Sequence, residues 1–142
     1  MDNNLDDRDV LLVKEKGKDE LHVAGMDKTG KVSTHKPDNP NNPEFLKFGA
    51  NDNALQSFFE NFARQMKNPS HFDFFRAPAW NIDETSQNLQ KALSDPNNPK
   101  NSAFVDMHRV DPAAHSKNWE QQQQQTQPSQ QTSAIKVAKF GR

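Results

Sequence analysis

The chain reads as a small α+β domain, a short antiparallel meander covered by one amphipathic helix, followed by a disordered tail. Three observations predict this: apolar runs of strand length separated by glycine turns near the start, a strongly periodic helical stretch after residue 52, and an abrupt change to glutamine after residue 119.

Residues 10 to 16 (VLLVKEK) and 20 to 26 (ELHVAGM) are short β-type runs parted by the turn-prone Gly17. In the second, Leu21 and Val23 alternate with Glu20 and His22, which predicts a hairpin with one buried face. A second turn falls at Asp27-Lys28-Thr29-Gly30, where glycine accepts positive φ, and residues 31 to 35 return as a third strand. Pro37 to Pro43 is dense in Pro and Asn, so the sheet is expected to give way there to an open connection.

From Asp52 the period changes. Leu55, Phe58, Phe59, Phe62 and Met66 follow helical spacing, with Gln56, Glu60, Asn61, Arg64 and Gln65 on the other side. Asp52 is the expected N-cap, and Asn68-Pro69 stops a helix of about residues 53 to 67. Burying its three phenylalanines contributes roughly 1.5 to 3 kcal/mol each before ordering entropy is counted. Phe72 and Phe74 then alternate as an extended segment does, which either adds to the sheet edge or wraps the helix.

A second, shorter helix is expected near 85 to 94, capped by Asp83 or Thr85 and carrying Leu89 and Leu93. Residues 9 to 95 thus form the expected domain, after a flexible start over residues 1 to 8. Residues 96 to 118 are expected to be a weakly structured extension, and 119 to 142 a disordered glutamine-rich tail with an apolar-basic segment from Ala134 to Phe140.

Composition narrows the function classes. The 142 residues are 32% hydrophobic, and the 18 basic against 19 acidic residues leave a net charge of -1. With a mean hydropathy of -1.08, the whole length is too polar to pack, and the balanced charge gives no global field to steer a polyanion. The absence of cysteine removes disulfides and thiolate chemistry. The acidic opening, Met1 to Asp9, is unlike a signal or transit peptide, and no apolar run approaches the roughly 20 residues that span a bilayer, so a cytoplasmic address and no membrane partner are expected.

The five histidines show neither H-x3-H nor HExxH spacing, and Asp106, His108, Asp111 and His115 read as loop residues rather than metal ligands. Ser57, Ser70, Ser86 and Ser94 lie in no nucleophile elbow, and the glycines form no phosphate loop. The expectation is a non-catalytic chain with no cofactor and no metal. Residues able to meet a partner are Lys67, His71, Phe75, Arg76 and Trp80, together with Lys136, Lys139, Phe140 and Arg142. If the aromatics face solvent they can stack bases, but ten phenylalanines, no tyrosine and balanced charge suit a buried core better.

The stretch from Phe58 to Phe75 has the form FFxNFxxQxKNPxxFxFF. It resembles the N-terminal region of uncharacterised proteins carried by Bacteroides-type conjugative transposons near type I topoisomerase genes, over roughly residues 9 to 95. The resemblance implies a mobile-element setting and carries no catalytic residue across. Together these readings predict an accessory or adaptor protein that binds another protein. The alternative is a nucleic-acid-binding factor in DNA transfer or processing.

Overall fold

The computed structural model describes residues 7–38, 42–49, 53–116 and 119. The fold is α+β. Its strands are β1 (Asp9–Glu15), β2 (Leu21–Met26), β3 (Val32–His35), β4 (Lys47–Phe48), β5 (Phe72–Pro78) and β6 (Arg109–Val110), and its helices are α1 (Ala54–Gln65), α2 (Ile82–Leu93), α3 (Pro99–His108) and the single turn α4 (Pro112–His115).

All strand pairs are antiparallel, in the order β3-β2-β1-β5-β6. The expected meander is present as β1-β2-β3, with Gly17 at φ 88° and Gly30 at φ 90° in its two turns. The Phe72 segment resolves as a sheet strand: β5 pairs with β1 along its whole length, from Asp9 opposite Pro78 to Glu15 opposite Phe72. That places β1 at the centre of the sheet.

A central strand covered on both faces buries every side chain, and Val10, Leu11, Leu12 and Val13 are all buried. Leu11, Val13, Ala24 and Phe74 face α1, which supplies Leu55, Phe58, Phe59, Phe62 and Ala63. Val10, Leu12, Leu21, Val23, Phe75 and Ala77 face the opposite way, against Ile82, Leu89 and Ala92 of α2 and Val105 of α3. The expectation of one buried sheet face is therefore corrected to two. Alternation in β2 marked only the side toward α2, because α1 leaves His22 half-exposed at its margin.

The boundaries also shift. Helix α1 ends at Gln65, because extended backbone at Met66 precedes a 3-10 turn opened by the buried Pro69. Its expected cap, Asp52, lies outside the described residues, and Asn53 occupies the N-cap position. Helix α2 begins at Ile82, ahead of Asp83 and Thr85, because a 3-10 turn over Ala79–Asn81 already starts the winding. Asp83 and Glu84 fall in its first turn, where their charge suits the helix dipole.

Two expectations about the later chain are overturned. Residues 99 to 115 are regular rather than weakly structured: Asn98 accepts from the Lys100 N–H at 3.0 Å and Pro99 takes a first-turn position, so α3 starts with a side-chain cap and a preset φ. Trp119, expected at the head of a disordered tail, is buried at 6% exposure against Phe59, Phe62 and Phe74, with ring centroids 5.8, 6.4 and 6.1 Å away. The sheet, expected to end in the connection from Pro37 to Pro43, continues after it, since β4 pairs with the start of β1.

Candidate functional site

The surface residues named from the sequence do not form one patch. Lys67 and His71 are exposed and lie before β5, and the His71 carbonyl accepts from the Lys16 N–H at 2.7 Å. Trp80 lies past the other end of the strand. Seven strand residues separate the two ends by roughly 20 Å.

Between them, Phe75 is fully buried on the α2 side and belongs to no surface, which corrects its place among the contact candidates. Arg76 is half-buried on the α1 side. Its guanidinium pairs with the Asp9 carboxylate and sits 4.9 Å from the centre of the Phe48 ring, so its charge is largely engaged within the fold. Lys136, Lys139, Phe140 and Arg142 lie outside the described residues.

Trp80 differs from the other aromatic side chains. It is 50% exposed, whereas the described phenylalanines are buried or half-buried. Ala79 and Ile82 on either side of it are fully buried, and the Ala79 N–H donates to the Arg8 carbonyl at 2.9 Å. The indole is thus displayed from backbone that is fixed on both sides. Among the large apolar side chains described, Met107 of α3 is also exposed, at 72%.

A polar constellation missed in the sequence lies on β3. Ser33 and His35, two residues apart on one strand, share the face that looks toward α2. Ser33 Oγ and His35 Nε2 are 3.0 Å apart, and the Glu44 carboxylate is 3.8 Å from the same nitrogen. The His35 ring tilts against Phe45 at 6.1 Å. Glu44 is set by its neighbour: Phe45 forms a bridge with Gly25, and the Glu44 N–H donates to the Asn42 side chain at 2.8 Å.

Gly25 makes this convergence possible. A Cβ there would stand 2.6 Å from the Glu44 carbonyl oxygen, 2.7 Å from Ser33 Oγ and 2.9 Å from His35 Nε2, each closer than a real Cβ contact. The readable signal was the Ser-x-His spacing on a predicted strand. Beside the cluster a cleft of about 280 Å³ is lined by Met26, Asp27, Lys28, Ser33, Pro43 and Glu44.

The motif from Phe58 to Phe75 is architectural in this structure. Its aromatics Phe58, Phe59, Phe62, Phe74 and Phe75 are core, and Pro69 is buried in the turn. The Gln65 side chain accepts from the Val32 N–H at 2.9 Å and donates to the Gly30 carbonyl at 2.6 Å, pairing with the sheet edge as a strand would. Asn61 donates to the Ser57 carbonyl at 2.8 Å and packs under Gly30.

Among the described residues, no group of three or more His, Asp or Glu side chains is arranged to hold a metal ion, and no helix is long and apolar enough to cross a membrane. Comparison with protein-family models, with curated proteins and with solved structures finds no match.

Proposed function

We propose that the chain is an accessory protein that works by binding another protein, with Trp80 as the anchor of the contact. The observation that carries this reading is the display of a half-exposed indole from rigid backbone at the end of β5. A large amphipathic ring that loses little conformational freedom on binding is the side chain most often found at the energetic centre of a protein interface. The segment from Ala134 to Phe140, with Lys136, Lys139 and Arg142, is assigned a second, auxiliary contact on the same partner.

The cytoplasmic address and the mobile-element setting belong to the same proposal. The setting rests on the resemblance carried by the motif of residues 58 to 75. The nucleic-acid alternative loses support from two placements: Phe75 is buried, and Arg76 is paired with Asp9 at the far end of β5 from Lys67 and His71.

The test is site-specific photo-crosslinking in the cell, with a photoreactive residue at position 80 and a control at Lys28 in the turn between β2 and β3. A protein adduct formed from position 80, and not from 28, supports the reading. Adducts to nucleic acid, or equal adducts from both positions, overturn it.

A further inference from the structure

We propose that Ser33 is a nucleophile, activated by His35, that accepts an acyl group from a small ester bound in the adjoining cleft. The inference is independent of the interaction surface at Trp80. It adds a covalent activity to a chain whose sequence reads as non-catalytic.

A serine hydroxyl is a weak nucleophile until a base within hydrogen-bond reach can take its proton. His35 Nε2 stands 3.0 Å from Ser33 Oγ, within that reach. For Nε2 to accept, the neutral ring must carry its proton on Nδ1. Glu44, 3.8 Å from Nε2, is too distant for a strong hydrogen bond with the neutral ring and leaves Nε2 open to accept from Ser33.

The surroundings are consistent with a built site. The His35 side chain is 20% exposed and Ser33 is half-buried, while Ser33 and Glu44 both line the cleft of about 280 Å³. The glycine at position 25 leaves room that any larger residue would take from the three groups together. Lys28 is the one cation among the described residues that line the cleft.

In the reaction, Ser33 Oγ attacks the ester carbonyl carbon while its proton moves to His35 Nε2. The tetrahedral intermediate collapses by breaking the bond to the alkoxy oxygen, which leaves as the alcohol with the proton returned from Nε2. The acyl group stays on Ser33, and attack by water, assisted by His35 in the same way, releases the acid.

The test uses the full chain with a fluorophosphonate probe and, separately, p-nitrophenyl acetate. Mass spectrometry of the labelled chain is expected to place one adduct on Ser33. Ser33→Ala should remove the adduct, and His35→Gln should slow labelling at least about tenfold and abolish its rise with pH, as loss of a general base does. Circular dichroism on both variants separates loss of chemistry from loss of fold. An adduct elsewhere, labelling no faster than in the urea-unfolded chain, or an unchanged rate in folded His35→Gln overturns the proposal.

Discussion

Gln65 shows how a polar side chain on a helix becomes a structural staple. Its two hydrogen bonds to the Gly30 carbonyl and the Val32 N–H tie α1 to the β2–β3 turn. Gln65→Ala is expected to cost about 1–2 kcal/mol in urea unfolding, since two backbone groups lose their partner. The opposite sign is expected at Ser86, whose hydroxyl is buried without a hydrogen-bond partner: Ser86→Ala should leave stability unchanged or raise it by up to about 1 kcal/mol. The turn also has a pH signature. Asp27 accepts from the Thr29 hydroxyl and from the Lys31 and Thr29 N–H groups, which hold its carboxyl below the ordinary 3.8. A depressed folded pKa gives stability that is present above that value and is lost as pH falls through the folded one, so Asp27→Asn should flatten the acid limb of a pH–stability curve. The turn at Asp27 was legible in the sequence, whereas Gln65 read only as the solvent side of α1 and Ser86 carried no signal.

The elements divide by how much their own residues say about them. Helix α1 was legible because Leu55, Phe58, Phe59 and Phe62 fall on one stripe, and its burial follows that stripe. Helix α3 was not, because Phe104, Val105 and Met107 define no single face; its existence rests on the Asn98 cap, the Pro99 start and docking of Val105 beside α2. Asn98→Ala should therefore cost about 1 kcal/mol, a cost readable in thermal unfolding. The Ser33–His35 pair was half-legible: strand spacing puts the two on one face, but the approach of Glu44 depends on the Gly25–Phe45 bridge, which joins segments twenty residues apart. Pairings of that kind have no local signal.

Across the whole molecule, the sheet is closed on both faces by segments that come late in the chain. Val105 and Val110 complete the two sides, and Trp119 seals the aromatic cluster of Phe59, Phe62 and Phe74. The composition pointed to a tail at residue 119 because glutamine dominates from there, yet a single indole outweighs its polar neighbours once an aromatic pocket exists. Trp119→Ala should lower stability by about 3 kcal/mol, and the same loss should follow if the chain is ended after Ser116 but not after Glu120. Trp80, the other tryptophan, is assigned to recognition rather than to the fold. The most direct test is a paired measurement on Trp80→Ala: its unfolding free energy in urea, and its binding to the protein captured by crosslinking from position 80. Stability within about 1 kcal/mol of the parent chain together with loss of binding is the predicted result. Binding retained by a folded Trp80→Ala chain would contradict the assignment of that surface.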